Sequence, residues 1–504
     1  MKKILVFTFI LIAAFGCTKL DDALYDRILP SDYTADPILK MSPIYEPMRD
    51  FLDWGGWWFA QEVTTDAVVC PTRAGDWDDG GKWRVLHQHT WDNNTEAIAS
   101  MWSRFFGGAI EANKFIEEFA SEAGNPVIDA ALAKARILRA YYYYLLIDNY
   151  GDVPYITKYL DADPQPHRNF RKDIYNEIVK EVEQSIPYVS PGTSKTGVTK
   201  AMAWSLLAKL YLNHAVYTGN VNNEYWAKAE AVCDSIINLQ SYSLESDVLS
   251  AFVTHNENSP ENIWVIPYDE DTYTGFNLHM RTLHYNSNLT FEMVVGPWNG
   301  FAVVESHYNT YSPNDNRHNW FLVGQQYTYG GQPIKDQGAG GLPLIFTPHI
   351  PSLVMGAGNT PQEIRMSGVR VKKFEIRRGA KENLSNDFPI FRYADILLMM
   401  AEAQLRQNKP VSVPGLDQIR TRAGLPAGWS ATLNGQAGLN ELLAERGREL
   451  FWEAHRRQDL IRFGEFNKAW WEKPASTPDR NVFPIPQWVV DANPNITLDP
   501  VSIK

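Results

Sequence analysis

Between Arg73 and Trp83 the chain reads RAGDWDDGGKW, with two indoles, three carboxylates and two cationic side chains in one glycine-rich stretch. Sugars present faces of C–H groups and a rim of hydroxyls. A site for them wants flat aromatic platforms edged by carboxylates, amides or arginines, and this segment supplies all of these. Gly75, Gly80 and Gly81 permit tight turns and leave Trp77 and Trp83 little local cover. Arg73 can pair with Asp76 or Asp79 in bidentate fashion, or meet hydroxyls directly. The opposing expectation is that the tryptophans pack inward and the charges brace a loop. A second binding candidate is Gly296-Pro297-Trp298-Asn299-Gly300, with Trp320 nearby in sequence. Trp54, Trp57 and Trp58, around Gly55 and Gly56, form a third aromatic group and read as packing.

Other chemistry is weaker. His87 and His89, read on a strand, would share one side of it. They have no evident third ligand, so a structural pair is expected and no metal. Asp76, Asp78, Asp79 and Gly80 resemble a calcium loop, but the glycine falls at the fifth position and His87 stands where the closing glutamate should be. Glu445, Arg446, Arg448, Glu449, Glu453, Arg456 and Arg457 are expected on one helix, with Glu453 and Arg457 paired four apart. That run reads as a structural network rather than an anion site. No nucleophile elbow, phosphate loop or zinc-protease motif occurs, and no cofactor is implied. Paired carboxylates far apart in sequence leave glycoside hydrolysis open as an alternative.

These side chains need a scaffold, and the sequence supplies a helical one. In DAALAKARILRAYYYYLLIDNYGDVPYIT (Asp129 to Thr157), Ala131, Ala135, Leu138, Tyr142, Leu145 and Asn149 share one helical face. Four consecutive tyrosines put bulk on several sides, so neighbours are expected on several sides. Gly151 and Pro154 end the helix. Further helices are expected at Thr95 to Ala123, Phe170 to Tyr188, Thr199 (as cap) to about Tyr217, and Tyr225 to Leu239. Helix pairs with small residues on the packing face resemble degenerate tetratricopeptide-type repeats. From Ser241 to Asp387 the helical period is lost, with a strand at Asn262 to Ile266. An irregular insertion of that length is expected to be functional. Helices resume at Phe391 to Gln407 and Asn440 to Phe463. The expectation is one domain over residues 17–504, with a helical scaffold at about 95–240 and 388–466 and a loop-rich insertion at about 241–387.

The 504 residues carry a formal charge of −12, and 17 Trp, 24 Tyr and 23 Phe exceed ordinary packing needs. An acidic chain without a basic stripe argues against nucleic acid as a partner. Lys2, Lys3 and the apolar run Ile4 to Ala14 read as a secretory signal over residues 1–16, too short for the roughly 20 residues of a membrane span. Gly16-Cys17 resembles the end of a bacterial lipoprotein signal, which makes Cys17 the expected lipidation site and firm anchor. Cys70 and Cys233 are available to pair.

Three late stretches, FPIFRYADILLMMAEA (Phe388 to Ala403), ERGRELFWEAHRRQDLIRFGEF (Glu445 to Phe466) and VFPIPQWVVDANPNITLDP (Val482 to Pro500), resemble the SusD/RagB family of outer-membrane glycan-binding lipoproteins. The tyrosine helix with its YGDVPYIT ending and the segment Pro71 to Trp91 are similar to parts of the same family. Gly447 departs from it, standing where the family usually carries arginine. The resemblance implies a mainly α fold, an α/α superhelix of four tetratricopeptide-like helix pairs with an irregular loop-rich face. It implies a lipid-anchored protein facing the exterior of the outer membrane. Such a protein captures oligosaccharide for a SusC-type TonB-dependent transporter without catalysis. Leu20-Asp21-Asp22 after Cys17 resembles a surface-export signal. The alternatives to this reading are an all-helical glycoside hydrolase and a peptide-binding repeat scaffold.

Overall fold

The computed structural model describes residues 37–53 and 56–497. Residues from Met41 on group into one compact unit, and before it a short helix, Pro37–Lys40, is described. The expected signal, Cys17 and Trp54 lie outside the described residues. Among the described residues, no helix is long and apolar enough to cross a membrane.

Among the described residues, eight helices of eight or more residues carry the fold: α1 (Glu96–Phe119), α2 (Pro126–Tyr150), α3 (Arg171–Ser185), α4 (Lys200–Leu212), α5 (Asn223–Asn238), α6 (Tyr393–Arg406), α7 (Gly435–Glu449) and α8 (Arg456–Phe463). Taken two at a time they make four pairs. The contacts α2 to α3, α4 to α5 and α6 to α7 join the pairs into a continuous stack. The chain is thus mainly helical, with little sheet. Helix α5, before the irregular segment, packs directly on α6, after it.

Local chemistry explains several boundaries. The Asn125 side chain accepts the Val127 N–H at the start of α2, where Pro126 fits because no N–H is needed. Gly151, at φ 73°, ends α2. Thr199 caps α4 by accepting the Met202 N–H at 3.2 Å.

Helix α2 meets neighbours on all sides. The Tyr141 ring sits edge-on to Trp264, with centroids 4.8 Å apart. Tyr142 reaches the Ile44 carbonyl at 2.5 Å. It crosses α1 at Gly108, where a Cβ would come within 2.0 Å of the ring. Tyr143 donates to the Ile156 carbonyl at 2.8 Å, and the Tyr144 hydroxyl accepts from Gln458 on α8 at 2.7 Å. Burial of these four aromatic bodies, with the hydroxyls of Tyr142, Tyr143 and Tyr144 hydrogen-bonded, ties the first helix pair to the last.

Several expectations need correction. The stretch expected as one helix to about Tyr217 breaks at Asn213, and a short helix, His214–Thr218, follows. Phe391 lies in a strand, Phe388–Arg392, that pairs antiparallel with Asn262–Ile266; α6 starts after it. Asn440 to Phe463 is not continuous. Trp452 and Ala454 between α7 and α8 have φ of 70° and 63°. The Trp452 carbonyl accepts from Trp58 at 3.2 Å, and the Ala454 N–H donates to Glu62 at 2.6 Å. These long-range bonds hold a break that local propensity does not favour. Glu453 and Arg457 are therefore not helical partners. Glu453 meets Lys373 and Arg392, and Arg457 meets Asp148. His87 ends a short helix, Lys82–His87, rather than a strand. Among the described residues, Cys70 and Cys233 are both buried and unpaired.

Gly447 has a structural reason. A Cβ there would lie 2.7 Å from the Arg456 guanidinium, which fills the space while pairing with Asp66.

Candidate functional site

The two aromatic loops singled out in the sequence meet in space. The Trp77 indole N–H donates to the Trp298 carbonyl at 2.6 Å. The ring lies against Phe301 at 5.3 Å. Gly300 makes this approach possible, since a Cβ there would come within 2.4 Å of the indole. Backbone strain concentrates in the same place: Ala74, Trp77, Asp79 and Asn299 all have positive φ. Non-glycine residues hold that conformation only where surrounding contacts enforce it.

The rings are not the open platform expected from the sequence. Trp77 is 7% exposed, Trp83 1% and Trp320 0%. Trp83 packs on Phe301 and Phe59 and donates to Asp79 at 2.7 Å. Trp320 is elsewhere in the core, edge-on to Phe252, beneath Lys373 and bonded to the Val248 carbonyl. The reason is the apolar cluster formed by Phe59, Phe301 and the indoles, which offers large rings more than solvent does.

Arg73 is also internal. Its guanidinium donates to the carbonyls of Ile364 and Ser367 at 2.8 and 3.0 Å, and burial pushes its pKa down to about 10. The guanidinium pairs with neither Asp76 nor Asp79; Arg73 and Asp76 exchange backbone hydrogen bonds instead. Asn299 is a buried brace: its amide donates to the Arg365 carbonyl at 3.0 Å and its oxygen accepts from Arg370 at 2.7 Å. Trp57 and Trp58 are buried, as expected of a packing group.

What reaches the surface is a polar and half-buried aromatic face. Asp76 is exposed and accepts a hydrogen bond from the Tyr285 hydroxyl. Burial, and then the bond to Asp76, raises the Tyr285 pKa to about 12, so it stays a donor. The Arg365 guanidinium lies 4.8 Å from the Tyr285 ring centroid, a cation–π contact, and grips Asp336 at 2.6 and 2.9 Å. Asp336 also meets His284 at 3.3 Å. Despite its burial, these hydrogen bonds, with His284 first, hold it well below the usual carboxylate range. Trp298 is half-buried, with the Arg281 guanidinium 5.5 Å from its ring centroid.

The Gln326–Ile334 turn joins the same surface. The Tyr329 N–H donates to the Leu289 carbonyl at 2.9 Å, and Asn286 donates to the Lys335 carbonyl at 3.3 Å. Tyr329 is 56% exposed, and Arg378 lies 4.4 Å over its ring. Asp76, Tyr285 and Arg365 therefore meet from separate segments, with the 296–300 loop bonded to Trp77 beside them and the Tyr329 turn tied to Leu289. This region has flat carbon faces, one exposed carboxylate and fixed donors, which suits polyhydroxylated ligands.

Sequence reasoning missed Tyr285, Arg365 and Tyr329. The run HYNSN (His284 to Asn288), rich in aromatic and amide groups inside the irregular segment, was the available signal. His87 and His89 act structurally: His87 bonds the Trp471 carbonyl at 2.8 Å and His89 the Thr64 carbonyl at 2.9 Å. Among the described residues, no group of His, Cys, Asp and Glu is arranged to hold a metal.

Comparison with known proteins gives consistent results. A family model described as "Starch-binding associating with outer membrane" matches residues 61–212. A second, described as "SusD family", matches residues 260–481. The starch-binding protein SusD of Bacteroides thetaiotaomicron is 24% identical over 414 residues, 72% of this chain and 71% of that one. In solved structures, a SusD superfamily protein from Parabacteroides distasonis is 18% identical with a TM-score of 0.75, covering 94% of this chain and 99% of that one. Surface glycan-binding protein A from Bacteroides thetaiotaomicron, solved with laminarihexaose, is 19% identical with a TM-score of 0.70, covering 92% and 98%. With the two matched segments in order along the chain and the helical stack shared nearly from end to end, this protein belongs to the SusD/RagB family.

Proposed function

We propose that this protein is a cell-surface glycan-binding lipoprotein, anchored in the outer membrane through Cys17, that captures oligosaccharides for a SusC-type TonB-dependent transporter and does no catalysis. The observation that supports the reading is the meeting of the 73–79 and 296–300 loops, with exposed Asp76 bonded to Tyr285 and Trp298 half-buried on the second loop. The relatives named as starch-binding and as glycan-binding supply the ligand class. Arg73, Asn299, Trp77, Asp79 and Trp83 then act from behind, fixing the loops on which the contact groups stand, and Trp320 acts only as core.

A binding role fits the electrostatics better than hydrolysis does. A glycosidase needs a carboxylic acid kept protonated near neutral pH. At this face Asp336 is held well below the usual carboxylate range, and the acids that burial raises most, Glu62 to about 8 and Asp387 to about 6, are bonded elsewhere, to the Ala454 and Tyr268 N–H groups.

The test is isothermal titration of the folded protein with laminarihexaose and maltohexaose, with Trp298→Ala and Asp76→Asn as variants. Trp298→Ala is expected to weaken binding by about tenfold, the order of one aromatic contact. Affinity unchanged in both variants would move the site elsewhere. Release of shorter oligosaccharides during incubation with polysaccharide would instead favour the hydrolase.

A further inference from the structure

Beyond the strand Ala302–Val303, the surface carries a recess that this face does not use. It encloses about 240 Å³ and is lined by Val304, Glu305, Ser306, Asn309, Ile350 and Trp471. Its floor is firm. Val304 and Ile350 belong to a buried apolar cluster with Val69 and Met355, and Trp471 packs against that cluster while staying partly open.

The indole is also held in orientation. The Trp471 carbonyl accepts from His87 Nε2 at 2.8 Å, and the two rings meet edge-on with centroids 5.7 Å apart. Trp470 and Lys473 exchange two backbone hydrogen bonds across the turn, each 3.1 Å. The Lys473 ammonium, 3.9 Å from the Trp470 ring centroid, donates to the Lys468 carbonyl at 2.9 Å. Trp471 therefore stands on a braced turn rather than a loose one.

The rim is polar. Glu305 Oε2 meets His349 Nδ1 at 3.1 Å, and among the described residues Oε1 makes no hydrogen bond. Among the described residues, the Ser306 hydroxyl and the Asn309 side-chain amide make no hydrogen bond, and both residues are exposed. One flat carbon face with an acceptor, a donor-acceptor hydroxyl and an amide is the minimum set for a sugar ring. The volume is below the roughly 300 Å³ at which pockets for larger ligands begin. The space fits a single ring whose chain continues into solvent. The Glu305 carboxylate disfavours a uronic acid there, so the ring is neutral.

We propose that this recess is a second sugar subsite, taking one neutral pyranose unit of a polysaccharide against Trp471, with Glu305, Ser306 and Asn309 on its hydroxyls. The proposal rests on the glycan-binding reading above. Two contacts on one long chain raise retention of a polysaccharide without new affinity at either.

The experiment is affinity electrophoresis through gels containing laminarin, soluble starch, xylan, galactomannan or arabinogalactan, on wild type, Trp471→Ala, Asn309→Ala, Glu305→Gln and Trp298→Ala. For the polysaccharide that retards the wild type, Trp471→Ala is expected to lower affinity by about tenfold. Asn309→Ala and Glu305→Gln should each lower it by about threefold, the order of one hydrogen bond, with unchanged unfolding midpoints. Retention that falls in Trp298→Ala but not in Asn309→Ala or Glu305→Gln overturns the recess and leaves the main face standing. A wild type that none of the five retards overturns both. If Trp471→Ala fails to fold, the Asn309→Ala and Glu305→Gln variants decide alone.

Discussion

The end of the helical stack and the aromatic loop face make an instructive pair, because each turns the apparent polarity of its sequence inside out. Around α7 the residues are charged, yet the charges are internal. Arg392 meets Glu261, Glu449 and Glu453; Arg317 meets Asp315, Glu445 and Glu449; Arg446 meets Asp395 and Asp459. All these side chains are nearly without solvent contact. Between Arg73 and Trp83 the residues are aromatic and glycine-rich, yet the rings are internal and Asp76 stands outside. In both regions the deciding quantity is the set of partners waiting in the fold. A buried charge is tolerable where counter-charges and hydrogen bonds surround it. An indole goes inside where an apolar wall offers it more than water does.

The largest expected effect separates the two regions by pH. Despite full burial, nearby cations led by Arg462 for Glu402 and by Arg422 for Glu449 hold both carboxyls down at about 2, from 4.5. A folded-state pKa below the unfolded one means stability is present above about pH 4.5 and drains as pH falls toward 2, since the unfolded chain then binds more protons. Thermal unfolding followed from pH 5 to pH 2 should show a steep fall in midpoint. A flat profile would mean the network carries no net stability.

Arg392→Ala leaves Glu261, Glu449 and Glu453 short of a buried partner and should cost roughly 3–5 kcal/mol in urea unfolding. A near-neutral result would show that the acids relax by protonation. Trp77→Ala removes a buried ring and should cost about 3 kcal/mol. Loss of affinity without loss of stability in that variant would return the ring to the ligand surface. Gly300→Ala, which pushes a methyl group into Trp77, is expected to cost about 1–3 kcal/mol by overpacking. A measured value near zero would mean the loop contact yields easily.

How much of this was legible can be judged residue by residue. The Thr199 cap, the stop at Gly151 and the strand at Asn262–Ile266 were read correctly because each is a local decision between neighbouring residues. The tyrosine run announced a helix with several partners, and it has them. The break at Leu450–His455 was invisible, because what sustains it comes from Trp58 and Glu62, hundreds of positions away. The same holds for the candidate site. Asp76 and Trp298 stand out by residue type, but Tyr285 meets Asp76, and Arg365 meets Tyr285, only through contacts across the irregular segment.

By itself, then, the sequence determined the helical scaffold, its caps and stops, and the stretches that mark the family, since these depend on periodicity and on residues within a turn or two of one another. Only the tertiary structure decided which rings are covered, which charges are internal and which side chains share a surface. Exposure is not a property of a side chain but of what distant segments place against it, and no local spacing encodes that.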